Sequence, residues 1–189
     1  NTSDLTNITV MGGYVGNNDE FDAFFFCKTD YTVTESFAET SWVLRRPFGQ
    51  LNVKTNDMTA IYDNTLKPTK VKVALTALPT SFNAKTGTVG EQTANVEYEA
   101  EVINQANGEL TVDYIWAPVE EAALVNFSMK FYNNETLICE NEDFKNIPVR
   151  RNYKTNVSGN LLTKQGTINV TIDPDFEQPD IEQEIVEEA

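Results

Sequence analysis

The chain has 189 residues, 40% of them apolar and 11% aromatic, enough for a packed core and too many for a wholly disordered chain. Its net charge of −15 excludes a nucleic-acid partner, which needs a basic footprint, and disfavours an electrostatic hold on anionic lipid. Eight of the 29 acids and none of the 14 bases lie in 173–189, so the body is moderately acidic and the tail makes the charge extreme.

In chain order, residues 1–20 are turn-rich, and the run MGGYVGNNDE pairs glycines with Asn-Asn-Asp. FDAFFFCK at 21–28 is a predicted strand with Phe21, Ala23, Phe25 and Cys27 on one face. Thr32–Thr34 and Ser41–Arg45 also read as strands, the second interrupted by Pro47, which cannot donate to a ladder. QLNVKT at 50–55 puts Leu51 and Val53 on one face. TKVKVALTAL at 69–78 points Val71, Val73 and Leu75 inward and Lys70, Lys72 and Thr76 outward.

The stretch 79–92 reads as a loop or crossover and as the best boundary between two β units. Residues 96–102 show the sharpest alternation, with Val96, Tyr98, Ala100 and Val102 against Glu97, Glu99 and Glu101. Asn107-Gly108 signals a hairpin into 109–116. Residues 119–124 read as a single helical turn. ALVNFSMKFY at 123–132 places Val125, Phe127, Met129 and Phe131 on one face, and Asn133-Asn134 makes the next turn. TINVTID at 167–173 is the last strand, with Ile168, Val170 and Ile172 inward. The sum is an all-β chain of antiparallel sheet packed on sheet.

Chemistry finds little support. Without histidine, serine triads, Cys-His dyads and imidazole-bound zinc are impossible. No phosphate-cradling glycine motif is present, and no cofactor is implied. Glu97 and Glu99 read as a solvated charged face rather than a glycosidase pair. The acidic turns at 17–20 and 173–177 lack EF-hand spacing, so no metal site is assigned. The six Asn-x-Ser/Thr sites read as coincidence in a chain rich in Asn and Thr. Cys27 and Cys139 read as two buried thiols, with one long-range disulfide as the alternative. Trp116, before Ala117-Pro118, reads as core or interface packing, with an aromatic sugar platform as the sharper alternative.

Three segments carry a resemblance: RRPFGQLNVKT at 45–55, PTSFNAKTG at 79–87 and IPVRRNYKTNVSGNLLTKQGTINVTIDPDF at 147–176. Together with NTSDLTNITV…GYVGNNDE…DAFF upstream, they resemble the fimbrillin-like proteins of Bacteroides and related bacteria, over nearly the whole chain up to Phe176. The resemblance implies tandem transthyretin-like β-sandwich domains, divided as 1–85, 86–176 and an acidic extension at 177–189. It also implies a first domain lacking its earliest strands. The implied place is the cell outer membrane or a fimbrium, with any lipid anchor lying upstream. The implied partners are other fimbrial subunits, joined by β-strand donation, or host surface ligands, with no catalytic activity; the alternative reading is a carbohydrate- or host-ligand-binding surface module that does not polymerise.

Within that frame Ile181, Gln183 and Ile185 share one face of an extended segment and are candidates for a donor strand. A solvated extension is the alternative. Arg45, Arg46, Arg150 and Arg151 are candidates for surface or interdomain ion pairs, or for a docking surface that takes an acidic strand.

Overall fold

A computed structural model describes residues 9–11, 46–118 and 121–174. Two four-stranded sheets pack face to face. The first runs β11 (Gln165–Asp173), β10 (Lys154–Asn160), β2 (Phe48–Thr55), β7 (Glu109–Trp116). The second runs β6 (Thr93–Glu101), β3 (Lys70–Pro79), β8 (Ala123–Asn133), β9 (Thr136–Val149). A smaller sheet joins β1 (Thr9–Met11), β4 (Ser81–Asn83) and β5 (Thr88–Val89). The all-β sandwich expected from the alternation is the fold.

The period of two builds the core directly. Leu51 and Val53 on β2, Val71, Val73 and Leu75 on β3, and Val125, Phe127, Met129 and Phe131 on β8 are all buried in one cluster between the sheets. Each such side chain contributes about 1.5–3 kcal/mol of burial. Their alternates face outward, and on the second sheet they form ion pairs. Lys70 Nζ lies 3.2 Å from Glu99 and 3.3 Å from Glu135, Lys72 reaches Glu97, and Lys130 lies 3.5 Å from Glu140. The three like charges of 97–101 are therefore tolerated because β3 places lysines beside two of them.

Several expectations are corrected. The division at 85/86 runs through the sandwich rather than between two of them. β2 and β3 lie before it, and their partners β6, β7, β8 and β10 lie after it. The stretch 79–92 is not a bare crossover. It holds the β4–β5 hairpin, which turns through Gly87 (φ 72°) and pairs with β1. The sheets are not wholly antiparallel, because β10 runs parallel to β2 over Lys154–Gly159. Residues 123 and 124 belong to β8 rather than to a helical turn.

The Asn107-Gly108 turn is present, with Gly108 at φ 73°, but β6 and β7 belong to different sheets. Pairing across it is short, made by the bridge between Asn104 and Glu109 and by Ile103 N–H donating to Leu110 O at 3.4 Å. The turn is thus an arch between sheets rather than a hairpin. β11 is also not fully inward. Val157 on β10 is buried, yet its register partner Val170 is 37% exposed and Ile172 is 39% exposed. Among the described residues β11 is an edge strand of its sheet, and its apolar side chains are less covered than those of β10. The strands expected at 21–28, 32–34 and 41–45, the acidic turn at 17–20 and Cys27 lie outside the described residues.

Candidate functional site

At one end of the sandwich a second aromatic cluster closes the fold. Phe82, carried in by the β4–β5 hairpin, stacks on Trp116 with ring centroids 5.5 Å apart and planes 11° off parallel. Phe48 packs edge-on against both Trp116 and Tyr114, at 6.2 and 5.4 Å. Trp116 is 0% exposed, so the sugar-platform alternative is overturned and packing holds. Its place at the end of β7, beside Ala117-Pro118, puts it under Phe82 rather than in solvent.

Two of the candidate arginines meet at this end. The turn at 150–153 brings Asn152 (φ 62°) against the start of β2. Asn152 N–H donates to Phe48 O at 2.8 Å, and Arg46 N–H donates to Asn152 Oδ1 at 3.2 Å. Arg151 Nε donates to Arg46 O at 3.2 Å, and its guanidinium lies 5.9 Å from the Phe82 ring centroid. Arg150 is exposed and lies over Tyr153 at 4.6 Å. Arg45, Ile181, Gln183 and Ile185 lie outside the described residues.

The opposite end carries a buried polar knot that alternation does not reveal. Thr55 hydroxyl donates to Asp57 Oδ1 and accepts from Leu161 N–H at 3.1 Å. Thr163 donates both its N–H and its hydroxyl to Asp57 Oδ2, each at 2.8 Å. Burial pushes the Asp57 carboxyl up, but the bonds from Thr55 and Thr163 outweigh it and hold the group below its ordinary value. The knot ties the end of β2 to the β10–β11 turn. Asp57 was legible only as a polar residue after a strand.

On its outer face the first sheet differs from the second. Gln50 and Asn52 on β2, Tyr114 and Val112 on β7, and Asn156 and Ser158 on β10 stand in neighbouring register rows. Asn52 Nδ2 donates to Asn156 Oδ1 at 2.7 Å, and Gln50 Nε2 donates to Tyr114 Oη at 3.3 Å. A groove of about 480 Å³ crosses these strands, lined by the two asparagines, Ser158 and Val112, with Lys54, Glu109 and Ile103 around them. Amides and hydroxyls thus gather across the middle rows of this face.

Cys139 on β9 is a free thiol whose pKa is pushed up by burial, which suits packing and not nucleophilic attack. Among the described residues no group of three or more Cys, Asp or Glu gathers to hold a metal ion.

The fold and these surfaces define an all-β sandwich protein. Residues 1–187 match the family of unknown function DUF6562, and the chain belongs to that family. No curated protein matches the sequence. Two solved structures resemble it weakly. A proposed cell adhesion protein from Bacteroides ovatus ATCC 8483 matches with a TM-score of 0.43 and 16% identity, over 71% of this chain and 47% of that one. A proposed cell adhesion protein from Bacteroides uniformis ATCC 8492 gives 0.42 and 12%, over 71% and 53%. The chain thus spans about half the length of the solved structures it matches.

Proposed function

We propose that this protein is a structural or adhesive component of the bacterial cell surface, a fimbrial subunit or fimbrillin-like lipoprotein that acts through strand edges rather than through a reaction centre. The observation that carries the reading is the edge strand β11. It leaves Val170 and Ile172 substantially exposed on the face that its neighbour β10 buries. An uncovered apolar edge of this kind favours addition of a partner strand, with main-chain bonds supplying affinity and alternate side chains filling gaps. The same strand falls within 147–176, the most specific part of the fimbrillin-like resemblance.

The reading assigns the protein an outer-membrane or fimbrial location, other subunits or host surface ligands as partners, and no catalytic activity. Its test is treatment of the purified full-length precursor with an arginine-specific protease. Loss of a short N-terminal segment followed by ladders on a denaturing gel supports assembly. A protein that stays monomeric counts against it, as does a Val170→Asp/Ile172→Asp variant that still forms ladders.

A further inference from the structure

We infer that the groove on the outer face of the first sheet is a binding site for a neutral oligosaccharide, with Asn52, Asn156 and Ser158 as its polar contacts. The inference rests on the adhesive reading for its biological setting, and names a ligand class for it.

The hydrogen-bonding pattern comes first. The bond from Asn52 Nδ2 to Asn156 Oδ1 uses one donor of the first amide and one lone pair of the second. It leaves the Asn52 oxygen as an acceptor and the Asn156 NH₂ as a donor, side by side. Flipping both amides only exchanges the two, so a donor beside an acceptor is presented either way. That pair matches adjacent hydroxyls on a sugar ring, each of which both donates and accepts. Ser158, two residues along the same face of β10, adds a hydroxyl of the same kind.

Dimensions and charge agree. Asn156, Asn52 and Val112 form one register row across β10, β2 and β7. Neighbouring strands are about 4.8 Å apart, so the row spans about 10 Å, the length of a disaccharide. Val112 and the 44% exposed Ile103 offer apolar contact for the C–H face of a ring. The groove's two charges, Lys54 and Glu109, are register partners of opposite sign, so it has no net pull on an ion. A net charge of −15 further opposes an anionic ligand. The groove opens on the face of the sheet, across β10 and β2 to the edge strand β7, and a ligand seated face-on joins no backbone ladder, which disfavours an added peptide strand.

The test uses the 189-residue chain in native gels cast with soluble yeast mannan, laminarin or starch, and with heparin as the anionic arm. The expected result is retarded migration in at least one neutral polysaccharide and none specific to heparin. Asn52→Ala/Asn156→Ala should weaken retardation ten-fold or more. Ser158→Trp, which fills the groove and leaves the amide pair intact, should do the same, while Lys130→Ala on the other sheet should not. Retardation by none of the neutral polymers, or equal retardation of wild type and both groove variants, overturns the proposal. Adherence to epithelial monolayers, measured in parallel, separates the two readings. Unchanged adherence and unchanged retardation in the groove variants defeat the groove alone. Polysaccharide binding without any adherence defeats the adhesive reading and leaves the groove standing.

Discussion

The phenolic hydroxyl of Tyr98 donates a 2.8 Å hydrogen bond to Oδ2 of Asp113, joining the edge strand of one sheet to the edge strand of the other. Asp113 is buried, so its carboxylate depends on protein donors rather than water. Tyr98→Phe removes a donor to a charged acceptor and should cost about 1.5–3 kcal/mol in urea unfolding. In a double-mutant cycle with Asp113→Asn, the two losses should fail to add. A loss below about 0.5 kcal/mol would mean that the two edges are held by packing alone.

Asp57 should make stability depend on acid pH. Its folded pKa lies below the ordinary value, so the folded state holds this proton less tightly than the unfolded chain does. The stabilisation is therefore fully present above the unfolded carboxylate value near pH 4, and is lost as pH falls through the lowered folded value. Asp57→Asn should destabilise the protein by about 1–3 kcal/mol at pH 7. The gap between wild type and variant should narrow steadily in denaturant titrations from pH 4 downward. A gap that is constant from pH 7 to pH 2.5 would show that Asp57 contributes shape and not charge.

Gly108 has φ 73°, and a Cβ there would sit 2.1 Å from the Thr55 carbonyl oxygen, which is backbone and cannot swing away. The close approach is used: Thr55 N–H donates to Gly108 O at 2.8 Å. Gly108→Ala combines backbone strain with a collision and should cost at least about 1–3 kcal/mol. Thermal unfolding of Gly108→Ala beside Asn107→Ala separates the two turn positions. Equal melting temperatures would contradict the requirement for glycine.

Trp116 and Tyr62 make a contrasting pair of aromatics. Trp116→Ala opens a cavity against Phe48 and Phe82 and should cost about 3–5 kcal/mol. Tyr62 is 95% exposed, and Tyr62→Ala should stay within about 0.5 kcal/mol of wild type. Both are read by chemical denaturation. A Trp116→Ala variant as stable as Tyr62→Ala would return Trp116 to the surface.

Local pattern determined a great deal of this protein. A side-chain period of two in 69–78, 96–102 and 123–132 specified which residues of β3, β6 and β8 face inward, because a pleated strand has only two faces and water sorts them. The turn at Asn107-Gly108 was equally legible, since a positive φ is a local property. Tertiary structure alone decided what each element joins. Strand pairing is made by backbone groups that are identical at every residue, so no spacing announces that β2 lies parallel to β10, or that β6 and β7 enter different sheets. For the same reason the amide row of Asn52 and Asn156, the buried Asp57 and the stacking of Phe82 on Trp116 arise only on folding. Their long-range partners lie 34 to 106 positions apart in the sequence.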